Sequence, residues 1–332
     1  MGVVGVVAFR LMTWNVQNLL PVGTEGGPPT PQAMEAKLAS LAKVIDAQQP
    51  DVLALQEVGP PEVLAPLQEL LGHELPHAEV SAHPDGRGIR VALLSRLPLQ
   101  DPVQLRQFPQ GLAAVQVGDP PAQAGARPPR QDHMGRGALQ ATVTAGGHQV
   151  TVVTAHLKSK LLTFPDNRHF PRDEDERARF AAYALGLRTA EAVTLRVHLT
   201  ELLRGAGAGE AVLLCGDLND GVDAATTQLL QGPPGSELRT AGFAQPDRGD
   251  ALRMWNLAEQ IPEELRFSRV FQGRRELIDH VFASRVLLTP LPAVTTATAG
   301  PALRSVSEDP HRDAGKPGSD HAAVIATFQL PD

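Results

Sequence analysis

Polar side chains follow several apolar stretches of the sequence, at the positions where those stretches end. A hydrolase of phosphate esters must hold a cation, deprotonate a water molecule and neutralise developing negative charge, for which carboxylates, amides and imidazoles are suited. These groups occur in order along the chain at Asn15, Glu57, His156, Asp217, Asn219, Asp279, Asp320 and His321. Their types and order indicate phosphate-ester hydrolysis.

Glu57 ends the segment Val-Leu-Ala-Leu-Gln-Glu (52–57) and has no basic residue close to it in sequence. A carboxylate at the end of a buried strand is costly unless a cation or hydrogen bonds compensate its charge. Mg²⁺ binds one or two protein carboxylates and keeps water and substrate oxygens in its other positions. We therefore expect a divalent cation at Glu57.

Asp217 and Asn219 stand two residues apart in Gly-Asp-Leu-Asn-Asp (216–220), a spacing that places both side chains on one face of an extended segment. The pair can supply a base for the attacking water and an amide donor. His321, held as an imidazolium by a carboxylate, can stabilise charge on the phosphoryl group. Taken singly, each residue also has a structural explanation as a turn former, helix cap or packed ring. Their shared position after strands favours one site.

The elements that must position these residues alternate between apolar strands and helical patterns, which predicts an α/β fold. Helices are predicted over 33–48, 64–71 and 174–204, and a Pro/Gly/Gln-rich loop over 107–134. The predicted strands are 6–14, 52–57, 88–95, 137–144, 148–155, 211–216, 277–284 and 322–328. Without an internal repeat or a separating linker, we expect a single catalytic domain over residues 1–332, acting as a monomer.

Composition excludes several classes of protein. The single cysteine, Cys215, excludes a disulfide framework and a multi-cysteine zinc site. We expect no membrane span, since no apolar run approaches the roughly 20 residues required. The first ten residues lack the basic region of a secretory signal, which predicts a cytoplasmic protein. The net charge of −7 and few aromatic residues argue against strong non-specific binding to nucleic acid.

Six segments together resemble the ordered motifs of the endonuclease/exonuclease/phosphatase superfamily, whose type member is deoxyribonuclease I. They cover nearly the whole chain, and their combined order and spacing are specific although single motifs such as Gly-Asp-Leu-Asn are common. The segments are Thr-Trp-Asn-Val-Gln-Asn (13–18), Leu-Gln-Glu-Val (55–58), Thr-Ala-His-Leu-Lys-Ser-Lys (154–160), Gly-Asp-Leu-Asn-Asp (216–220), Leu-Ile-Asp-His-Val (277–281) and Gly-Ser-Asp-His (318–321).

The resemblance implies a four-layer α/β sandwich, in which two facing mixed β-sheets are flanked by helices and the active site lies at one end. It also implies a Mg²⁺- or Mn²⁺-dependent hydrolase. By position, the implied metal residues are Glu57, Asn15 and Asp320, and the implied catalytic residues are His156 (leaving-group acid), Asp217 (water activation), Asn219 (phosphate contact), His321 (phosphate contact) and Asp279 (partner of His321).

Two local features refine the implied activity. Gln17 stands where many superfamily members have an acidic residue, so we expect fewer carboxylates around the cation and weaker or more selective metal binding. The His-Leu-Lys-Ser-Lys segment (156–160) resembles bacterial nucleases of the superfamily more than its abasic-site repair branch. This similarity favours a general phosphodiesterase over a dedicated repair enzyme.

The predicted substrate is nucleic acid, DNA or RNA. Lys158, Asn18 and Arg136 are candidate substrate contacts, although Arg136, in Gly-Arg-Gly (135–137), equally fits a turn into the next strand. The alternative is a phosphatase or a sphingomyelinase-like phospholipid phosphodiesterase on the same scaffold. A non-catalytic binding protein is disfavoured, because Glu57 and Asp217 are both present.

Overall fold

A computed structural model describes residues 6–123, 125–168, 170–205, 209–232, 237–244, 250–300, 302–307 and 315–331. Over these residues there are five α-helices: α1 (Pro31–Gln48), α2 (Ala65–Leu70), α3 (Glu174–Gly205), α4 (Ala225–Leu230) and α5 (Ala241–Ala244). The same residues form seventeen strands: β1 (Val6–Leu19), β2 (Val52–Val58), β3 (His77–Val80), β4 (Arg90–Ser95), β5 (Gln100–Gln107), β6 (Val115–Gln116), β7 (Arg130–Gln131), β8 (His133–Ala145), β9 (His148–His156), β10 (Ala211–Asp217), β11 (Trp255–Asn256), β12 (Arg269–Phe271), β13 (Arg274–Glu276), β14 (Asp279–Ala283), β15 (Ala293–Ala297), β16 (Ser305–Val306) and β17 (Ala323–Pro331). Short 3-10 helices are Pro61–Val63, Pro165–Asn167, Asp250–Leu252, Leu257–Gln260, Glu263–Leu265 and Arg285–Leu288.

Two six-stranded mixed sheets form the centre of the molecule. The first has the strand order β15-β17-β1-β2-β4-β3, and the second has the order β11-β14-β10-β9-β8-β5. In the first sheet β1 is parallel to β2 and antiparallel to β17. In the second sheet β10 is parallel to β9 and antiparallel to β14. Each sheet therefore has a parallel pair at its centre with an antiparallel strand beside it.

Alternation of side chains along the central strands divides the interior into layers. On β10, Leu213 and Cys215 pack between the two sheets, whereas Val212 and Leu214 pack in the layer that contains α3. The next residue of the series that faces between the sheets is Asp217. The same alternation that builds the core thus turns this carboxylate toward the opposite sheet.

Helices cover the outer faces of both sheets. Leu41 and Ile45 of α1 are buried in one cluster with Trp14 of β1, and Leu195 and Leu199 of α3 are buried with residues of β9 and β10. The order of layers is helix, sheet, sheet, helix. This arrangement confirms the predicted four-layer α/β sandwich of two facing mixed sheets. No helix in the described ranges is long and apolar enough to cross a membrane.

The structure differs from the sequence prediction in its short and polar elements. The predicted loop over 107–134 contains the two-stranded pair β6 and β7 and borders β5 and β8. A separate three-stranded sheet, β13-β12-β16, was not predicted. Strands of two or three residues carry no measurable period of hydrophobicity, so the sequence pattern gives no signal for them.

Candidate active site

The predicted polar residues meet where the parallel strands of the two sheets end. Strand register places Asp217 directly beside His156 on one side and Asp279 on the other. From the opposite sheet, the Asn15 side chain donates a hydrogen bond from Nδ2 to Asp217 Oδ2 at 2.9 Å. This bond joins the two sheets across the site.

Asp217 lies at the centre of this group and is 1% exposed. Its Oδ1 accepts a hydrogen bond from the Asn219 backbone N–H at 2.9 Å. Its Oδ2 lies 3.5 Å from His156 Nε2 and 4.0 Å from His321 Nε2. Burial and the negative charge of Asp279 raise the pKa of Asp217 to about 7, against the opposing effects of its polar neighbours. A carboxylate with this pKa is suited to accept a proton from water near neutral pH.

His321 is paired with a buried carboxylate. Its Nδ1 lies 2.7 Å from Asp279 Oδ2, and both side chains are almost completely inaccessible. Burial lowers the pKa of His321, but the charges of Asp279, Asp217 and Asp320 outweigh that effect and raise it to about 10. The imidazole is therefore protonated at neutral pH and carries a positive charge into the site.

The scaffold fixes this pair from both sides. The hydroxyl of Ser268, which is 0% exposed, accepts a hydrogen bond from the Asp279 N–H at 3.1 Å. The indole of Trp14 donates to the backbone carbonyl of His321 at 2.9 Å. These two hydrogen bonds fix the backbone of both Asp279 and His321.

His156 is buried beside Asp217, but its protonation state differs from that of His321. Burial lowers its pKa well below the ordinary value, and the positive charges of Arg136 and His321 lower it further. The resemblance implied that His156 acts as a leaving-group acid. A neutral imidazole is poorly suited to that role, although it can donate a hydrogen bond to a phosphate oxygen.

Asn219 has a left-handed backbone conformation, with φ of 56°. Its side-chain Nδ2 donates to the Leu157 carbonyl at 3.0 Å, and the Leu157 N–H donates to the Asp217 carbonyl at 3.0 Å. The loop after β9 thus fixes the Asn219 amide, which keeps a second N–H for another acceptor.

Glu57 lies on the first sheet, and the Asn15 side chain bonds both to it and to Asp217 of the second sheet. Its carboxylate accepts hydrogen bonds from Asn15 Nδ2 at 3.3 Å and from the Asn18 N–H at 2.9 Å. Asn18 Oδ1 is buried and has no hydrogen-bond partner among the described residues. Burial raises the pKa of Asp320, His321 opposes this effect, and the negative charge of Glu57 adds to it. Oxygen atoms with uncompensated negative charge are the ligands that Mg²⁺ prefers.

Two groups could hold a divalent cation. In the described ranges, Asp217, Asp279 and His321 offer ligand atoms that all lie within 4.8 Å of one another. However, the neighbouring carboxylates that raise the pKa of His321 favour its protonated form, and a protonated imidazole has no free electron pair for a metal. The oxygen atoms of Glu57, Asn15 and Asp320 therefore fit the chemistry of Mg²⁺ or Mn²⁺ better.

The structure places Lys158 and Arg136 beside the site with their side chains already bonded to protein. Lys158 Nζ donates to the carbonyls of Ser159 at 3.2 Å and Leu161 at 2.7 Å. Arg136 Nε donates to Asp85 Oδ2 at 3.0 Å. All three residues of Gly-Arg-Gly (135–137) belong to β8, so Arg136 lies within a strand and not in a turn.

Sequence reasoning missed the roles of three residues that support the Glu57 side of the site, although it noted Gln17 for its lack of charge. Gln17 Oε1 accepts hydrogen bonds from the Asp320 N–H at 3.1 Å and from Arg304 at 3.0 Å. Lys37 is 4% exposed and donates from Nζ to the Gly318 carbonyl at 2.8 Å. Helical spacing on α1 gave no signal for a buried lysine. Ser319, whose hydroxyl donates to the Asn15 carbonyl at 2.6 Å, stood inside a recognised motif.

Comparison with known proteins gives one family and a set of similar folds. The model of the Endonuclease/Exonuclease/phosphatase family matches residues 12–321. Among curated proteins, none matches the sequence. Truncated TDP2 from Caenorhabditis elegans has a similar structure, with a TM-score of 0.57, 17% identity and coverage of 97% of both chains.

Two further structures extend this comparison. An endonuclease/exonuclease/phosphatase family protein from Bacteroides thetaiotaomicron has a TM-score of 0.55 at 13% identity, with 98% of this chain and 96% of the other covered. D. rerio TDP2 complexed with single strand DNA product has a TM-score of 0.52 at 16% identity, with 97% and 98% covered. At such low identity these structures establish the fold alone.

Proposed function

The chain belongs to the endonuclease/exonuclease/phosphatase family of phosphoester hydrolases, and we propose that it is a divalent-metal-dependent phosphodiesterase that cuts nucleic acid. One observation carries this proposal: the buried Asp217 carboxylate accepts hydrogen bonds from the Asn15 side chain and the Asn219 N–H and lies 4.0 Å from Nε2 of the His321 imidazole. At this distance, Asp217 can act as a base on the attacking water while the His321 imidazolium contacts the phosphate of the same ester.

Asp217, held in position by the Asn15 amide and the Asn219 N–H, accepts the proton of the attacking water while the water oxygen bonds to phosphorus. The bond from phosphorus to the leaving-group oxygen breaks, and that oxygen takes a proton from solvent water. His321 donates a hydrogen bond from Nε2 to a phosphate oxygen, and Asp279 keeps the imidazole protonated and oriented. The side-chain amide of Asn219 contacts the scissile phosphate.

Glu57, with Asn15 and Asp320, would hold Mg²⁺ or Mn²⁺, which when bound polarises a phosphoryl oxygen and offsets negative charge. His156 remains neutral and donates a hydrogen bond to the phosphate on the leaving-group side, in place of the acid role implied by the resemblance. A hydrogen bond from neutral His156 avoids placing a second positive charge beside the Arg136 guanidinium.

Two features support nucleic acid as the substrate. Arg136 and Lys158 provide positive charge beside His156, where a phosphate next to the scissile one would lie. One protein of similar structure, D. rerio TDP2, was crystallised with a single strand DNA product. Asn18, adjacent to Glu57, completes the proposed substrate contacts.

A second candidate is a phosphatase or phospholipid phosphodiesterase acting through the same residues. The net charge of −7 favours it, because tracking of a nucleic-acid backbone requires excess positive charge. The residues that carry out the chemistry are the same, so only a comparison of substrates separates the two.

The test is hydrolysis of four substrates with Mg²⁺, Mn²⁺ or EDTA: supercoiled plasmid, a single-stranded oligonucleotide, sphingomyelin vesicles and p-nitrophenyl phosphate. His321→Ala protein purified in parallel controls for contaminating nuclease. We expect metal-dependent cleavage of plasmid or oligonucleotide by the wild type and not by the variant. Cleavage of sphingomyelin or the monoester alone would refute the nucleic-acid substrate, and equal cleavage by the variant would refute the site.

A further inference from the structure

Arg136 lies between two glycines, each of which has close neighbours. An ideal Cβ on Gly137 would lie 2.8 Å from His83 Cβ and 3.0 Å from the Leu105 carbonyl oxygen. An ideal Cβ on Gly135 would lie 3.3 Å from Glu191 Oε1. The strand segment that carries Arg136 is therefore packed tightly at Gly137, and at Gly135 it lies against the carboxylate of Glu191.

Glu191, on α3, is a buried carboxylate that the catalytic mechanism does not use. It is 1% exposed. Oε1 accepts a hydrogen bond from the Gly135 N–H at 2.8 Å, and Oε2 accepts one from the Lys158 N–H at 2.6 Å. A single side chain thus joins β8, next to Arg136, to the loop after β9 that carries Lys158.

Strand β8 and the loop after β9 are also joined at the Leu157 carbonyl group. The Leu157 oxygen accepts hydrogen bonds from Arg136 NH1 at 3.3 Å and from Asn219 Nδ2 at 3.0 Å. The Arg136 guanidinium and the Asn219 amide are therefore neighbours. A shift of the loop at Lys158 would move the shared acceptor of both groups.

A second residue of α3 holds the same loop. Arg188, which is 5% exposed, donates from NH1 to the Lys158 carbonyl at 2.9 Å and from Nε to Asp220 Oδ2 at 2.7 Å. Both backbone polar groups of Lys158 are thus bonded to buried charged side chains of α3. Burial of two charges is costly and requires specific partners.

We propose that Glu191 is a positioning residue, which holds Arg136 and Lys158 where they contact the substrate phosphate beside the scissile one. This inference rests on the proposed function, since Arg136 and Lys158 are its candidate substrate contacts. Among the described residues, the hydrogen bonds to the Glu191 carboxylate come from backbone N–H groups, so its effect on the reaction passes through the Arg136 and Lys158 side chains.

The experiment measures KM and kcat for a single-stranded oligonucleotide with Glu191→Gln. The amide has nearly the same shape, but its NH2 group faces a backbone N–H that has lost its acceptor. We expect KM to rise at least about tenfold and kcat to fall by less than about tenfold, since Asp217 and His321 keep their own contacts while Asn219 shares the Leu157 acceptor with Arg136. Glu201→Gln, at an exposed position of the same helix, is the matched control and should leave both constants unchanged.

A double-mutant cycle separates positioning from general loosening of the fold. In a protein that already carries Arg136→Gln and Lys158→Gln, the added Glu191→Gln should raise KM no further. A second variant, Glu191→Asp, keeps the negative charge but withdraws the carboxylate by one methylene group, and should reproduce the KM increase if Glu191→Gln fails to fold.

Unchanged KM in folded Glu191→Gln, or a KM increase of equal size in the triple variant, would overturn the positioning role while leaving the proposed function intact. A wild-type KM in folded Glu191→Asp would overturn the positioning role in the same way. A wild type that hydrolyses neither oligonucleotide nor plasmid would refute the proposed function itself, and a wild type that cuts plasmid alone would have KM and kcat measured on duplex DNA.

Discussion

Gly216→Ala is a substitution whose cost follows directly from backbone geometry. Gly216 pairs with Ala155 of β9 and precedes Asp217, and its φ is 138°. An ideal Cβ at this position would lie 2.0 Å from the Ala155 carbonyl oxygen and 3.0 Å from its carbonyl carbon. Both atoms are backbone in the centre of a sheet, so no side-chain rotation can relieve the contact.

Two effects contribute to the loss in the free energy of unfolding of Gly216→Ala. Overpacking of a well-filled interior costs about 1–3 kcal/mol. A non-glycine residue in a left-handed backbone conformation adds roughly 1–2 kcal/mol. We therefore expect Gly216→Ala to lower the free energy of unfolding by about 2–5 kcal/mol. Because the strands must separate by about 1 Å beside Asp217, any folded protein should also lose activity by roughly a hundredfold.

The assay is urea unfolding followed by the fluorescence of Trp14 and Trp255, which are both buried. Gly186→Ala is the matched control, because Gly186 lies inside α3 and an added Cβ there has no atom within 4 Å. It should raise stability by about 0.5–1 kcal/mol. A loss of less than about 1 kcal/mol in Gly216→Ala would refute the argument from strand packing.

Three further predictions follow from the site and its surroundings. Glu57→Gln should weaken Mn²⁺ binding at least about tenfold, measured by calorimetry, since an amide carries no charge for a hard cation; an unchanged affinity would place the ion elsewhere. Asp279→Asn should lower kcat about a hundredfold, because His321 loses the carboxylate that keeps it charged, and near-normal kcat would exclude this role. Bonds from Arg168 lower the pKa of Glu176 to about 2, so its stabilising effect is full above the unfolded pKa of 4.5 and is lost as pH falls toward 2. The difference in Tm between wild type and Glu176→Gln should therefore shrink on acidification from about pH 6 to 3, and a constant difference would contradict the ion pair.

Much of the fold could be predicted because the buried elements have strong patterns. The apolar run before Asp217 predicted β10, and the helical spacing of Leu38, Leu41 and Ile45 predicted α1. Strand β5 (Gln100–Gln107) was not predicted. It lies at a sheet edge with most of its residues exposed, so selection for burial leaves no period in its sequence.

The candidate residues of the site could be identified from sequence, but not their environment. The Asn15 side chain bonds to Asp217 across 202 positions of the chain, which depends on how the two sheets pack. The contrast between neutral His156 and protonated His321 arises from neighbouring charges brought together by folding. Glu191 gave no sequence signal, because a glutamate in a helix is usually exposed.

The most direct test of the account is the rate of oligonucleotide cleavage by Asp217→Asn under single-turnover conditions with saturating metal. Asp46→Asn is the matched control. Asp46 lies on α1 and, like Asp217, accepts backbone hydrogen bonds, but its donors are the Gly72 and His73 N–H groups of the loop after α2. We predict that Asp217→Asn lowers the rate at least about a thousandfold while Asp46→Asn retains it within about twofold. An Asp217→Asn protein that keeps more than about a tenth of the wild-type rate would contradict the assignment of Asp217 as the base.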